Sequence, residues 1–537
     1  MSHRRSSLRT LAAVSLALAL ALPASAGAAT RGGGLGSRHR TQVELGVLGT
    51  YATGIYDDSA AEIVAHDPGT QRLFVVNGAD EAVDVLDAAD PSAPALVDVL
   101  DVGGAPTSVD VSGGVVAVAV PADPESDPGS VAFFDAASLA PLATVEVGAL
   151  PDMLTFTPDG GAVVVANEGE PAGDYSVDPE GSVSIVDVSG GAEEVSQADV
   201  RTAGFAAFAL EDLPEGVRIF GPETATTVAQ NLEPEYVAVG ADSTTAWVTL
   251  QENNALAVVD LAGAEVTEIL ALGTKDHSVP GAGFDASDDD GAVDIRPHPV
   301  QGLYQPDAIA AYEVRGHTYL VTANEGDARD YDAFAEEERV ADLVLDPTVF
   351  PDAAALQAPE ELGRLTVTTT EGDRDGDGDY DALFSFGARS FSIVRDDGRV
   401  VFDSGDAFEQ ITADLLPEDF NSDNEDNDSF DSRSDNKGPE PEGVVLGRIG
   451  RRTYAFIGLE RVGGIMVYDV TRPRRAQFVD YLNNRDFRGD AEAGTAGDLG
   501  PEGLTFIPAQ DSPTGAPLLA VANEVSGTTT LFSVTGD

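Results

Sequence analysis

Six acids stand where apolar segments begin: Glu62, Asp152, Glu235, Asp307, Glu442 and Glu502, five of them directly after a proline. About 16 residues later a second apolar segment ends in a glutamate: Glu168, Glu252, Glu325, Glu460 and Glu524. Three of these follow an asparagine, at Asn167, Asn324 and Asn523. If the segments lie side by side, the carboxylates converge, and each close pair repels by on the order of a kcal/mol or more. Relief comes from raised pKa values, partner arginines or bound cations. Calcium takes carboxylate and amide oxygens, which this pattern supplies. Turn formation alone explains it less well, because glutamate is not a turn former. Calcium is therefore the expected metal, with Asp152, Glu168, Glu235, Glu252, Asp307, Glu325, Glu442, Glu460, Glu502 and Glu524 as its candidate ligands.

A second candidate is D-R-D-G-D-G-D-Y-D, which carries Asp373, Asp375, Asp377, Asp379 and Asp381. Its start matches the D-x-D-x-D-G opening of an EF-hand calcium loop, with Gly378 at the sharp turn. The twelfth position is Phe384, so the usual bidentate glutamate has to come from elsewhere. Residues 421–435 are acidic without that spacing, and read either as another calcium cluster or as an unstructured run. No other chemistry stands out. There is no cysteine, His66, His277, His298 and His317 lack metal-type spacing, and no G-x-S-x-G or H-E-x-x-H occurs. Arg329, Arg389, Arg433 and Arg461 are the best placed to hold a phosphate.

The acids recur because the chain repeats. Seven units can be laid over one another, each with up to four short apolar segments, at a period of about 45 residues. The second unit has Thr107 and Pro121 in place of both acids. Such repetition predicts an all-β chain, a seven-bladed β-propeller with long acidic insertions, or eight blades if 362–370 opens its own. In a four-stranded meander, the start of the first strand and the end of the second share an edge. Both sets of acids should then ring one mouth of the central channel. Residues 43–50 are a spare strand that would close the ring and hide a sheet edge. Insertions are expected near 193–231, 273–303, 326–381 and 406–437.

Residues 1–26 read as a signal peptide, with Arg4, Arg5 and Arg9 ahead of an apolar run and Ala-Ser-Ala at 24–26. Residues 27–42 read as a flexible leader, and 43–537 as the single propeller domain. No later stretch is long and apolar enough to span a bilayer. The formal charge is −63, from 30 Lys+Arg against 93 Asp+Glu, and this repels nucleic acid and anionic lipid. A secreted monomer is expected, without a nucleic-acid partner or a membrane span.

The run A-N-E-G-E-P-A-G-D-Y-S-V-D-P-E-G-S-V-S-I-V-D at 166–187 resembles the bacterial choice-of-anchor I proteins, relatives of mesenchyme-specific cell-surface glycoprotein. So do residues 431–444, 454–471 and 518–532, and the likeness runs over about 43–534. The resemblance implies a secreted or surface-tethered propeller of the YVTN/WD40-like kind and no settled activity. The expectation is a calcium-binding propeller acting as an extracellular binding or adhesion module, its ligand or surface unnamed. The alternative is a calcium-dependent hydrolase, phosphatase/phytase-like or lactonase-like, working at the acidic mouth. A redox or quinone propeller has no motif in its favour.

Overall fold

Segments such as Ala162–Asn167 (AVVVAN) are apolar at every position but the last and are buried on both faces. Val163 and Val165 pack with Ala117, Ala119 and Phe133 of the preceding sheet. Val164 and Ala166 pack with Val248, Leu250 and Val259 of the following one. A strand squeezed between two sheets loses the apolar/polar alternation of a half-exposed strand, and each fully buried valine contributes about 2 kcal/mol.

The computed structural model describes residues 43–222 and 227–536. The expected signal peptide and leader, 1–42, lie outside the described residues. Among those described, seven antiparallel sheets have four strands each. The first is Val64–Asp67, Arg72–Asn77, Ala82–Asp87 and Ala95–Asp101, and the second Ser108–Ser112, Val115–Val120, Pro128–Asp135 and Pro141–Ala149. The third is Pro151–Phe156, Ala162–Asn167, Ser182–Asp187 and Val200–Gly204, and the fourth Val237–Val239, Thr245–Leu250, Ala255–Asp260 and Glu265–Ala271. The fifth is Ile309–Val314, His317–Asn324, Ser390–Arg395 and Val400–Asp403, and the sixth Pro441–Ile449, Arg452–Leu459, Ile465–Asp469 and Gln477–Leu482. In the seventh, Pro501–Ile507, Leu518–Asn523 and Thr528–Thr535 are joined by Glu44–Ala52, from the other end of the described chain.

First strands of consecutive sheets lie against one another, and the seventh lies against the first. The cycle is that of a β-propeller. Glu44–Ala52 closes it, running antiparallel to Thr528–Thr535 from Glu44↔Thr535 to Ala52↔Thr528.

The expected insertions carry regular structure of their own. Val200–Gly204, inside the expected excursion 193–231, is the outer strand of the third sheet. Its burial is poor, so its pattern is weak. Thr274–Asp276, Gln301–Leu303 and Phe384–Ser385 form a three-stranded sheet of their own. Around it, Phe284, Val300, Val340, Leu362, Leu365 and Val367 make a separate small core. Thr366–Thr368 pairs only with Glu337–Arg339 and opens no four-stranded sheet. Residues 421–435 are folded, with Asn421, Asp431 and Ser434 buried.

Candidate metal centre

The prolines that open the first strands place the acids. Pro151 pairs with Asn167, Pro441 with Leu459 and Pro501 with Asn523, and in each sheet the register then slips before pairing resumes. Asp152, Glu442 and Glu502 sit in these bulges, which turn side chains off the sheet and toward the channel. The glycine after the glutamate is required too. A Cβ on Gly443 would strike the carbonyl of Glu502, and one on Gly503 that of Glu62. Gly503 N donates to that Glu62 carbonyl at 2.9 Å. Pro-Glu-Gly thus aims an acid inward while letting neighbouring first strands touch.

Asp152, Asp307, Glu442 and Glu502 line one small cavity of about 100 Å³ with Tyr236. Burial, and then neighbouring carboxylates, push Asp152 up to about 7. Glu62 also rises to about 7, through burial opposed by Ser59 and helped by Glu524. Glu168, Glu235, Asp307, Glu442, Glu460 and Glu502 stand well above the usual range, burial again leading.

Compensation around the mouth is uneven. On the side of the fifth and sixth sheets, Lys437 Nζ lies 2.7 Å from Glu325 and 3.2 Å from Glu440. Arg461 lies 3.1 Å from both Glu440 and Glu460, and Arg433 lies 2.6 Å from Glu440. Burial works against charge on Glu440, but these three cations outweigh it and hold the carboxyl below its usual range. Glu325, Glu440 and Glu460 cluster closely, yet three cations already meet their charge.

On the side of the third and fourth sheets, among the described residues, Glu168, Glu235 and Glu252 make no ion pair. Oxygens of Glu168, Glu235 and Glu252 lie within 4.8 Å of one another. Arg329, whose charge acts on Glu252, is committed to Glu233 at 2.6 Å, and Arg218, which donates to the Glu252 carbonyl at 2.7 Å, is paired with Glu336. At that separation each ionised pair repels by about 3 kcal/mol at an effective dielectric of ~20, so three pairs give roughly 10 kcal/mol. Protonation would relieve this, but a buried carboxylic acid needs an acceptor for its proton. Among the described residues, Glu235 Oε2 and Glu252 Oε2 have no hydrogen-bond partner, in residues only 7% and 5% exposed. A divalent cation answers both needs, since it takes the lone pairs and cancels the charge. An all-oxygen donor set suits calcium.

The 373–381 loop is a different kind of place. Asp373 Oδ1 accepts from Gly376 N at 2.8 Å, and Asp381 Oδ2 from Arg374 N at 2.9 Å. Asp373, Asp375 and Asp381 come within 4.8 Å of one another, as do Asp346, Asp379 and Asp381. Asp377 holds the turn, accepting from Asp379 N at 3.2 Å. Asp346 is an oxygen donor that the loop sequence does not show. It arrives because Asp346 N donates to Tyr380 O at 3.1 Å.

The family model of the choice-of-anchor I domain matches residues 62–473. The chain belongs to the choice-of-anchor I family. The matched span takes in Glu168, Glu235, Glu252 and the 373–381 loop, and stops before Glu502 and Glu524 of the seventh sheet. Gigasin-3a of Magallana gigas is 35% identical over 193 residues, which is 34% of this chain and 68% of that protein. Mesenchyme-specific cell surface glycoprotein of Strongylocentrotus purpuratus is 29% identical over 284 residues, 45% of this chain and 35% of that protein. Among solved structures, Kuenenia stuttgartiensis hydrazine synthase is 14% identical with a TM-score of 0.47, covering 91% of this chain and 100% of that one. The β-propeller domain of Myceliophteria thermophila Cps50 (Swd1) is 10% identical with a TM-score of 0.43, covering 92% and 100%.

Two sequence expectations change in this choice-of-anchor I protein. The asparagines of the Asn-Glu pairs are not turned to the mouth. Asn167 Nδ2 donates to Ser184 Oγ at 3.0 Å and Asn324 Nδ2 to Ser392 Oγ at 2.8 Å, stapling second strand to third. The glutamates that follow go elsewhere, Glu168 to Glu235 and Glu252, and Glu325 to Glu440 and Glu460. The four arginines suited to a phosphate are all spoken for: Arg329 by Glu233, Arg389 by Glu409, Arg433 by Glu440 and Arg461 by Glu440 and Glu460. His277 and His298 pack on Phe284 and bond to backbone carbonyls, as core residues do.

Proposed function

We propose that this protein is an extracellular binding module: a seven-bladed propeller that uses calcium at its acidic mouth to hold an oxygen-rich ligand. The observation that carries the reading is the triad Glu168, Glu235 and Glu252, with two buried oxygens lacking partners and no cation of its own. Three carboxylates fill at most six of the six to eight oxygen positions that calcium takes, which leaves room for a ligand oxygen or water. Across the mouth, Asp57, Asp58, Glu425, Glu460, Glu524 and Arg461 line a cleft of about 500 Å³, where a ligand would approach. A second calcium belongs at the 373–381 loop, with Asp346 assisting. The cell-surface relative supports a place outside the cell. Against a phosphatase-like reading, the arginines that would clamp phosphate are already paired.

The test is a screen of the whole chain with p-nitrophenyl phosphate, phytate and an aromatic lactone, in calcium and in chelator, beside calcium calorimetry. Calcium uptake without turnover is expected. Calcium-dependent hydrolysis that Glu235→Gln abolishes would replace the binding module with a hydrolase.

A further inference from the structure

The face opposite the acidic mouth carries the reverse charge at one place. A groove of about 690 Å³ runs between the fifth and sixth sheets, lined by Arg315, His317, Tyr319, Arg472, Arg474 and Arg475, with no acidic side chain along it. Arg315 lies in the two-residue turn that joins the first two strands of the fifth sheet, and His317 opens the second of them. Arg472, Arg474 and Arg475 come from the turn after Ile465–Asp469, where buried Pro473 anchors the backbone. Tyr312 fixes the spacing of the two sheets, its hydroxyl donating to Val470 O at 3.0 Å.

Acids outnumber basic residues three to one in this chain, and its buried arginines mostly find carboxylates. Arg218, Arg329 and Arg389 do so, as do the partly buried Arg364, Arg433 and Arg461. Among the described residues, the four groove arginines make no ion pair and no side-chain hydrogen bond, and all four are exposed. Four like charges gathered along one groove, with no acid in its lining, offer a site to an anion from outside.

We infer that this groove binds an anionic oligosaccharide bearing sulfate or carboxylate groups. Guanidinium groups meet such oxyanions with paired hydrogen bonds. The Tyr319 ring, tilted against Tyr312 at 6.0 Å, offers an aromatic surface beside them for the apolar side of a sugar. The volume suits a short ligand. A long polyanion such as nucleic acid would run out over surface whose acid surplus repels it, at distances within the Debye length of about 8 Å.

The experiment titrates the full chain, at physiological salt, with fluorescent heparin-derived hexasaccharide, an oligogalacturonate and a single-stranded oligonucleotide. Binding of either sugar is expected, weakening as salt rises. Arg474→Ala/Arg475→Ala should weaken it at least tenfold, and Arg472→Glu provides a second disruption from another point of the groove. All three positions are exposed, so the melting temperature should hold. Glu235→Gln/Glu252→Gln should leave sugar binding intact, which separates this groove from the calcium centre. Absence of binding by both sugars, unchanged affinity in the arginine variants, or tighter binding of the oligonucleotide than of either sugar would overturn the inference.

Discussion

Removing calcium should make the protein less stable at pH 8 than at pH 5. Glu62 rises from an ordinary 4.5 to about 7 on folding, and Asp152 from 3.8 to about 7. A carboxyl whose pKa is higher in the folded state stabilises the fold while it holds its proton. That contribution is complete below the unfolded value, near pH 4, and is lost as pH rises through 7. Within this window each group lowers the unfolding free energy by about 1.4 kcal/mol per pH unit. The loss is roughly 3 kcal/mol for Glu62 and 4 for Asp152. The two groups interact and do not add in full, so about 5 kcal/mol is a fair sum. Unfolding entropy near 2.1 cal/mol/K per residue makes 1 kcal/mol worth about 1 °C in a domain of about 500 residues. The chelated protein should therefore melt about 5 °C lower at pH 8 than at pH 5. Calcium binds the ionised carboxylates and offsets about half of that loss, adding about 2.7 kcal/mol at a hundredfold excess over Kd. Thermal melts in calcium and in chelator at both pH values provide the assay. A chelated protein as stable at pH 8 as at pH 5 would refute the picture of buried acids forced to ionise.

Lys437→Met should cost about 3–5 kcal/mol, because it strands Glu325 without its cation and leaves Glu440 only Arg433 and Arg461; urea melts within 1 kcal/mol of the parent would contradict that role. Deleting residues 43–52 removes the strand paired with Thr528–Thr535 and should lower the melting temperature of the whole domain. An unchanged melt would show that closure does not depend on it. Changing Asp375 and Asp377 to Asn should remove one calcium from the calorimetric stoichiometry and leave the melt of the chelated protein unaltered, since both lie in the exposed 373–381 loop. Identical stoichiometry in parent and variant would rule out that loop as a site.

The strands were legible where burial is strongest. Ala162–Asn167 and Leu518–Asn523 are continuous apolar runs because sheets press on both sides, and the Pro-acid openings mark where first strands begin. Val200–Gly204 was hidden because an outer strand buries little more than Ala203. The acids at the mouth could be assigned from strand direction alone. Their division into a compensated and an uncompensated side could not, since Lys437 and Arg433 reach Glu325 and Glu440 from an insertion whose path the repeat does not specify. Asp346 stayed out of sight for the same reason. Nothing in the spacing told Asn167 from Glu168 as the residue that joins the acids; the hydrogen bond of Asn167 to Ser184 and the grouping of Glu168 with Glu235 and Glu252 settle it.

The most direct measurement is a calcium titration by calorimetry at pH 8 of the parent and of a Glu235→Gln/Glu252→Gln chain, with Asp375→Asn/Asp377→Asn as the reference for the loop. Gln keeps the size of each side chain and removes the charge that a cation needs. The parent should bind at least two calcium ions. The Glu235→Gln/Glu252→Gln chain should lose one of them, keep the loop site and, in chelator at pH 8, melt at or above the parent, because repulsion at the triad is gone. Equal stoichiometry and affinity in the two chains would contradict a calcium centre at Glu168, Glu235 and Glu252.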